Sequence, residues 1–405
     1  LTGNRDSDPF RFHLCAPAGQ WINDPNALYF ADGRYRLAVQ HAASPQPDAV
    51  GWGAASSADL LHWQWDGALI PADARGQAWS GSRCDGAWWF TRQDAAAGLQ
   101  TQHCRRGDAE SQPVGPRGRN CRDPFVWRAD DGLHMLVARP CDWHDWAATP
   151  PSQLEHWHQR PGGDWQPAGH IGPWSPPGVL WEVPVLITLA GRQILILSQV
   201  DRRGGGSDCR VVWWAGRGVF TPDPGQPADG WPLDLGPDCY AAIVSSGDGW
   251  PLAAPHLVAW ASNWATARAM PWPGASHGGP ITLPRALEWR DGRLHQRPLA
   301  AAAPLAAWHG TMPAAGHLRI RRGDAQLDLV INADGSATTR RAGTASHTAL
   351  LAWQRDFAAG TVNPGVDRRI SLFADGPMLE LFIDPCGLTL TAALPGTGPL
   401  EVACA

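Results

Sequence analysis

Short apolar runs in pairs, each pair joined by a turn that ends in Gly, recur along the first three quarters of the chain. They read ALYF-ADG-RYRLAVQ around Gly33, FVWR-ADDG-LHMLVAR around Gly132 and VLITL-AGR-QILILSQV around Gly191, then YAAIVSSG at Gly247 and ALEWR-DG-RLHQ at Gly292. Runs of this length, broken by Gly-containing turns, predict β-hairpins. Nine residues before the first four glycines stand Asp24, Asp123, Glu182 and Asp238; Leu283 stands before the fifth. Acids at one offset from a hairpin turn would occupy equivalent ends of equivalent strands.

The five glycines are 99, 59, 56 and 45 residues apart, which suits blades of four strands better than the shorter solenoid periods. The expectation is an all-β chain: a five-bladed β-propeller over residues 1–296 with an enlarged first blade. A six-bladed ring is the alternative, because the 99-residue interval has room for two blades; unrelated hairpins with acids at turns would give a similar pattern. In a propeller the innermost strands line one channel, so the acids would converge. An Ala/Pro-rich stretch, RPLAAAAPLAAW, marks a linker at 297–309. Beyond it, HLRIRR, AQLDLVINADG, RRISLFADG and PMLELFID alternate with period two between Gly-containing turns, predicting a small β-sandwich over 310–405.

Composition narrows the function. The 405 residues carry a net charge of −5, without the basic excess that nucleic-acid binding needs, and no apolar run is long enough for a membrane helix. All 33 basic residues are Arg, which excludes Schiff-base lysine and P-loop chemistry. Trp supplies 24 residues; its faces suit sugar C–H surfaces, although core filling accounts for most of them. The nine dispersed cysteines form no CxxC pair, which argues against zinc and a disulfide framework. With no visible leader, the expected location is the cytoplasm; a removed leader would make it periplasmic or secreted.

Three convergent carboxyl groups in a Trp-rich, Lys-free funnel suit glycoside hydrolysis, in which one carboxylate attacks the anomeric carbon and a carboxylic acid protonates the departing oxygen. The flanking residues are Trp21-Ile22-Asn23-Asp24-Pro25-Asn26, Arg122-Asp123-Pro124 and Trp181-Glu182-Val183-Pro184. In this order they resemble the signature motifs of glycoside hydrolase family 32, the invertases, inulinases, levanases and fructosyltransferases. WSGS at 79–82, DCYAA at 238–242, SNW at 262–264 and the ISLFADGPMLELFID segment extend the likeness.

That resemblance implies a five-bladed propeller joined to a sandwich, acting on β-linked fructose with retention. It makes Asp24 the nucleophile, Glu182 the general acid/base and Asp123 a stabiliser gripping fructose hydroxyls. It also places Asn23, Gln40, Trp52, Trp79, Ser80, Arg122 and Trp264 in the fructose subsite, with Arg122 beside Asp123. Ala27, Ala54 and Val183 depart from the family's usual Gly, His and Cys without removing a reacting group.

The expected substrate is a small molecule or oligosaccharide containing β-linked fructose, with no cofactor and no metal. A fructosyltransferase, an arabinan- or xylan-active glycosidase and a silent fructan-binding protein are the competing readings. Two further sets carry potential ligands: Glu155 with His156-Trp157-His158, and Cys141-Asp142-Trp143-His144. Neither spacing is that of a standard metal site, and both read as solvated loop. Gly204-Gly205-Gly206 lacks the strand-to-helix context of a nucleotide loop and reads as a blade connection.

Overall fold

A computed structural model describes residues 10–94, 96–142, 145, 150–202, 208–245, 249–343, 357–361 and 365–405. Gly247, Gly204–Gly206, Trp143 and His144 lie outside them. The described chain is all-β apart from the short helix Trp264–Ala269 and two 3-10 turns.

Five consecutive antiparallel meanders account for residues 21–298, and the first strands of the sheets are Trp21–Ala31, Gln77–Cys84, Arg122–Ala129, Val179–Leu189 and Tyr240–Val244. Each sheet has four strands in chain order, and Trp231–Pro232 adds a fifth to the fourth sheet. Each first strand touches the first strand of the next sheet, and Tyr240–Val244 returns to Trp21–Ala31, a closed ring that fits a propeller. The seam between last and first sheets is tight. Ile22 N–H bonds His277 O at 3.2 Å, and a Cβ on Gly278 would fall 1.9 Å from Ile22 O.

The turn pattern located four of these sheets and misassigned one hairpin. Gly292 belongs to the hairpin between Arg285–Arg290 and Arg293–Pro298, the outer pair of the fifth sheet. The sheet beginning at Gln77 lies inside the 99-residue interval, so the enlarged first blade is two sheets. Its own turn, Asp85-Gly86, takes the two successive positive φ values, 49° and 72°, of a tight hairpin.

Residues 308–404 form two further sheets. One orders Trp308–Met312, Arg368–Asp375, Met378–Asp384 and Leu388–Ala393; the other orders Phe357–Thr361, Ser336–Ala342, Ala325–Ile331, Gly316–Arg322 and Leu400–Cys404. Alternate residues of both, among them Ile320, Leu329, Leu372 and Leu381, share one apolar core. The opposite face of the first presents Phe373 and Phe382 to the core of the ring.

Buried ions cross that junction. Arg285 bonds Glu380 Oε2 from Nη2 at 2.7 Å and Asp234 Oδ2 from Nη1 at 2.9 Å, while His13 lies between Asp375 and Glu380 at 2.9 and 2.8 Å. Asp238, the fourth acid of the repeat, is spent here. It bonds Arg341 Nη1 at 2.5 Å, Asn263 Nδ2 at 2.7 Å and Ala393 N–H at 2.7 Å.

Candidate active site

On each of the five first strands a bulge sets two residues against one on the neighbouring strand. These pairs are Asn23–Asp24, Trp79–Ser80, Asp123–Pro124, Val183–Pro184 and Ala241–Ala242. A bulge kinks the strand and re-aims the side chains beside it, and every predicted acid except Asp238 stands in or next to one. Asp123, Val183 and Ala241 take φ of 62°, 47° and 51°, a costly conformation for a β-branched residue such as Val183. That turn aims Val183 N–H at Asp123 Oδ2, 3.0 Å away, and Thr91 Oγ1 holds Asp123 N–H at 2.8 Å.

Asp24 ends a continuous hydrogen-bond chain. Trp21 Nε1 donates to Asn23 Oδ1 at 3.0 Å, and Asn23 Nδ2 donates to Gln40 Oε1 at 2.8 Å and Asp24 Oδ1 at 3.1 Å. Gln40 Nε2 donates to Ser80 Oγ at 2.5 Å, which donates to Asp24 Oδ2 at 2.6 Å. Three of the residues named for the subsite thus fix one carboxyl group. Burial pushes the Asp24 pKa up to about 6, assisted by the charge of Glu182 and opposed by the bonds from Ser80 and Asn23.

The charge of Arg122 favours ionised Asp123, as its sequence position suggested, but its hydrogen bonds go elsewhere. On a strand, neighbours project to opposite faces, and the bulge begins at Asp123; Arg122 reaches across to Glu182, with Nε and Nη2 at 2.9 and 2.7 Å from Oε1. Tyr240 donates its hydroxyl to Oε2 of the same group. Burial and then the charge of Glu182, against that of Arg122, push Asp123 up to about 7. Tyr240 escaped the sequence reading, although its place on the fourth acid-bearing motif, two residues after Asp238, was the available signal.

The tryptophans divide. Trp52 is wholly buried and gives its indole N–H to Trp79 O at 2.9 Å, so it supports the Trp79 segment from behind. Trp79 and Trp264 keep partial exposure, and Trp264 stacks on Trp21 at 6.4 Å. A cavity of about 710 Å³ runs along the later halves of the first strands, past Asn26, Arg83 and Trp127, with Asp123 and Val183 on its wall. Asp24 and Glu182 do not line it. The candidate site is therefore placed by the carboxyl groups and not by this cavity.

Two expectations about ligand sets change. Glu155, His156 and His158 lie on the strand Gln153–Gln159, where Glu155 pairs with Arg139 at 2.8 Å, and not in a loop. Cys141 is buried, its N–H held by Ser152 at 3.0 Å. Among the described residues no helix is long and apolar enough to cross a membrane.

Carboxyl groups gathered on the first strands of a ring of sheets are the equipment of a glycoside hydrolase. The chain belongs to family 32 of the glycosyl hydrolases, whose N-terminal domain matches residues 13–298. It is 29% identical over 334 residues to a raffinose invertase of Escherichia coli, covering 71% of this chain and 64% of that protein. A sucrose-6-phosphate hydrolase of Klebsiella pneumoniae is 29% identical over 448 residues, covering 96% and 90%. The chain spans slightly under two thirds of the raffinose invertase. In fold it resembles a fructofuranosidase of Schwanniomyces occidentalis complexed with fructose, at a TM-score of 0.75 and 16% identity, covering 100% of this chain and 96% of that one.

Proposed function

We propose that this protein is a retaining β-fructofuranosidase that removes terminal β-linked fructose from sucrose or fructo-oligosaccharides through a covalent fructosyl-enzyme intermediate. The observation that carries the proposal is the seating of Asp24, Asp123 and Glu182 at bulges on the first strands of the first, third and fourth sheets of one ring, each carboxyl group held by named donors.

In this reading Asp24, aimed by Ser80 and Asn23, attacks the anomeric carbon of fructose. Glu182 gives a proton to the departing oxygen and then takes one from the water that releases fructose. Asp123 keeps Oδ2 on Val183 N–H and offers Oδ1 to a fructose hydroxyl. Arg122 and Tyr240 fix the Glu182 carboxyl until substrate arrives, and Trp79 and Trp264 wall the subsite. The five meanders are the blades of a propeller whose last strand ends at Pro298, and the sandwich begins at Trp308, so the linker expected at 297–309 shortens to 299–307. We retain a cytoplasmic location as a proposal from the nine dispersed cysteines, none in a CxxC pair.

Incubation with sucrose, kestose, inulin and levan, with products resolved by chromatography, tests the reading. Fructose release with retained configuration is expected. Growth of longer fructans at the expense of free fructose would make the protein a fructosyltransferase, and binding without turnover a fructan-binding protein.

A further inference from the structure

The third sheet carries a second group of chemistry-bearing side chains, well away from Asp24. Trp127, His134 and His158 stand directly opposite one another across three adjacent strands. His156 precedes His158 by two residues and shares its face. Asp131 sits in the turn between the first two of these strands.

The donor atoms converge. His134 Nε2 lies 2.9 Å from Asp131 Oδ1, and His158 Nε2 lies 3.5 Å from Asp131 Oδ2. One donor atom from each of the three residues falls within 4.8 Å of the others. Bonds of about 2.0–2.1 Å at the tetrahedral angle set donors roughly 3.3–3.4 Å apart, and each imidazole approaches its own oxygen of the Asp131 carboxyl at a separation within about half an ångström of that value. The other ring nitrogen of His134 is already engaged: Nδ1 is 2.9 Å from His156 Nε2. With Nδ1–H turned to His156, His134 presents Nε2 to a metal in place of the hydrogen bond that it gives Asp131 in the ion-free arrangement. Trp127 stacks on His134 at 5.1 Å and backs the group.

We propose that Asp131, His134 and His158 bind a borderline divalent ion of the Zn²⁺, Ni²⁺ or Cu²⁺ class, with His156 orienting His134. Two imidazoles and one carboxylate select these ions over Mg²⁺ or Ca²⁺. Three protein ligands leave a fourth position for water, and the exposed Asp131 side chain, at 63%, gives access from solvent. The spacing of His156 and His158 matched no standard site because the remaining ligands come from the preceding hairpin. The site lies at the far end of the strand that begins with Arg122 and Asp123, so the ion would be structural rather than part of the reaction.

The test uses the full chain, stripped with chelator and then titrated with Zn²⁺. One ion per chain is expected, with a rise in melting temperature. Asp131→Asn and His158→Gln should each weaken binding at least tenfold and abolish that rise, while their metal-free melting temperatures match the wild type. His156→Ala should weaken binding by about 10–100-fold. No bound zinc in the wild type would show a hydrogen-bonded imidazole stack and overturn the proposal. Equal affinity in the wild type and in both ligand variants would place the ion elsewhere and overturn it too.

Discussion

Arg122 grips Glu182, sixty residues away, and not its neighbour Asp123: its Nε and Nη2 both bond Oε1, at 2.9 and 2.7 Å. The bridge ties the third sheet to the fourth through two groups that are almost wholly buried. Breaking such a pair from one side leaves an uncompensated charge in a poorly solvated place. The contact therefore serves both the shape of the ring and the setting of the Glu182 carboxyl group.

Arg122→Ala should destabilise the protein by about 3–5 kcal/mol, read as a shift of the denaturation midpoint, and should depress turnover. Arg122→Lys keeps the charge but loses the fork; it should recover part of the stability and little of the turnover. Equal stability of Arg122→Ala and wild type would show that the bridge contributes nothing.

Removing any reacting carboxyl group should lower turnover without unfolding the chain. Glu182→Gln is expected to reduce kcat by roughly 10²–10⁴-fold, and Asp24→Asn to leave only background. Burial raises the pKa of Asp24, so its ionised form opposes folding above about pH 6. Asp24→Asn should accordingly melt no lower than the wild type at neutral pH. Full activity in either variant would remove that residue from the mechanism.

The acid side of the pH–rate profile should be set by Asp24 and Asp123, whose values stand at about 6 and about 7. Turnover falls as pH drops through this window, because a protonated Asp24 does not attack. Ser80→Ala removes a bond that favours the ionised form and should move the acid limb to higher pH. An unchanged limb in that variant would assign it to another group.

His13 makes stability pH-dependent at the junction between ring and C-terminal sheets. Burial alone would lower its pKa, but the hydrogen bonds that it donates to Asp375 and Glu380 and their charges outweigh it, raising it to about 9. The contribution is full below about 6.5 and is lost as pH rises through 9, on the order of 3 kcal/mol in all. Denaturation of the wild type and of His13→Gln between pH 6 and 9.5 should converge toward the alkaline end. A constant difference would place the stabilisation outside His13.

Turnover should persist in EDTA, because a cation on the three acids would oppose the protonated state that Glu182 needs. Products from inulin or levan should be single fructose units. Early release of long oligosaccharides would show an endo-acting cleft.

What the chain revealed in advance was periodic and local. The hairpins around Gly33, Gly132 and Gly191 and the alternation after residue 310 are backbone-scale signals, and they became strands. The sheet from Gln77 to Gly118 stayed hidden because Gln77, not an acid, stands nine residues before Gly86. Asp238 shared the offset but not the site: it precedes the strand Tyr240–Val244 and turns to Arg341. Which side chains a bulge re-aims is a three-dimensional outcome. The reach of Arg122 to Glu182, the hydroxyl of Tyr240 and the meeting of His134 with His158 all depend on contacts between strands, which no linear spacing displays.

The seam at Ile22 and His277 sets an order on the making of the protein. During synthesis the first four sheets emerge before the fifth, and together they already carry Asp24, Asp123 and Glu182. Closing the ring waits for Tyr240 and for the segment around Gly278, which lies against Ile22 beside Asp24. A long-separation contact of this kind forms late and slowly. A nascent chain thus holds all three acids before it holds the contact that closes the ring, and that contact lies beside Asp24.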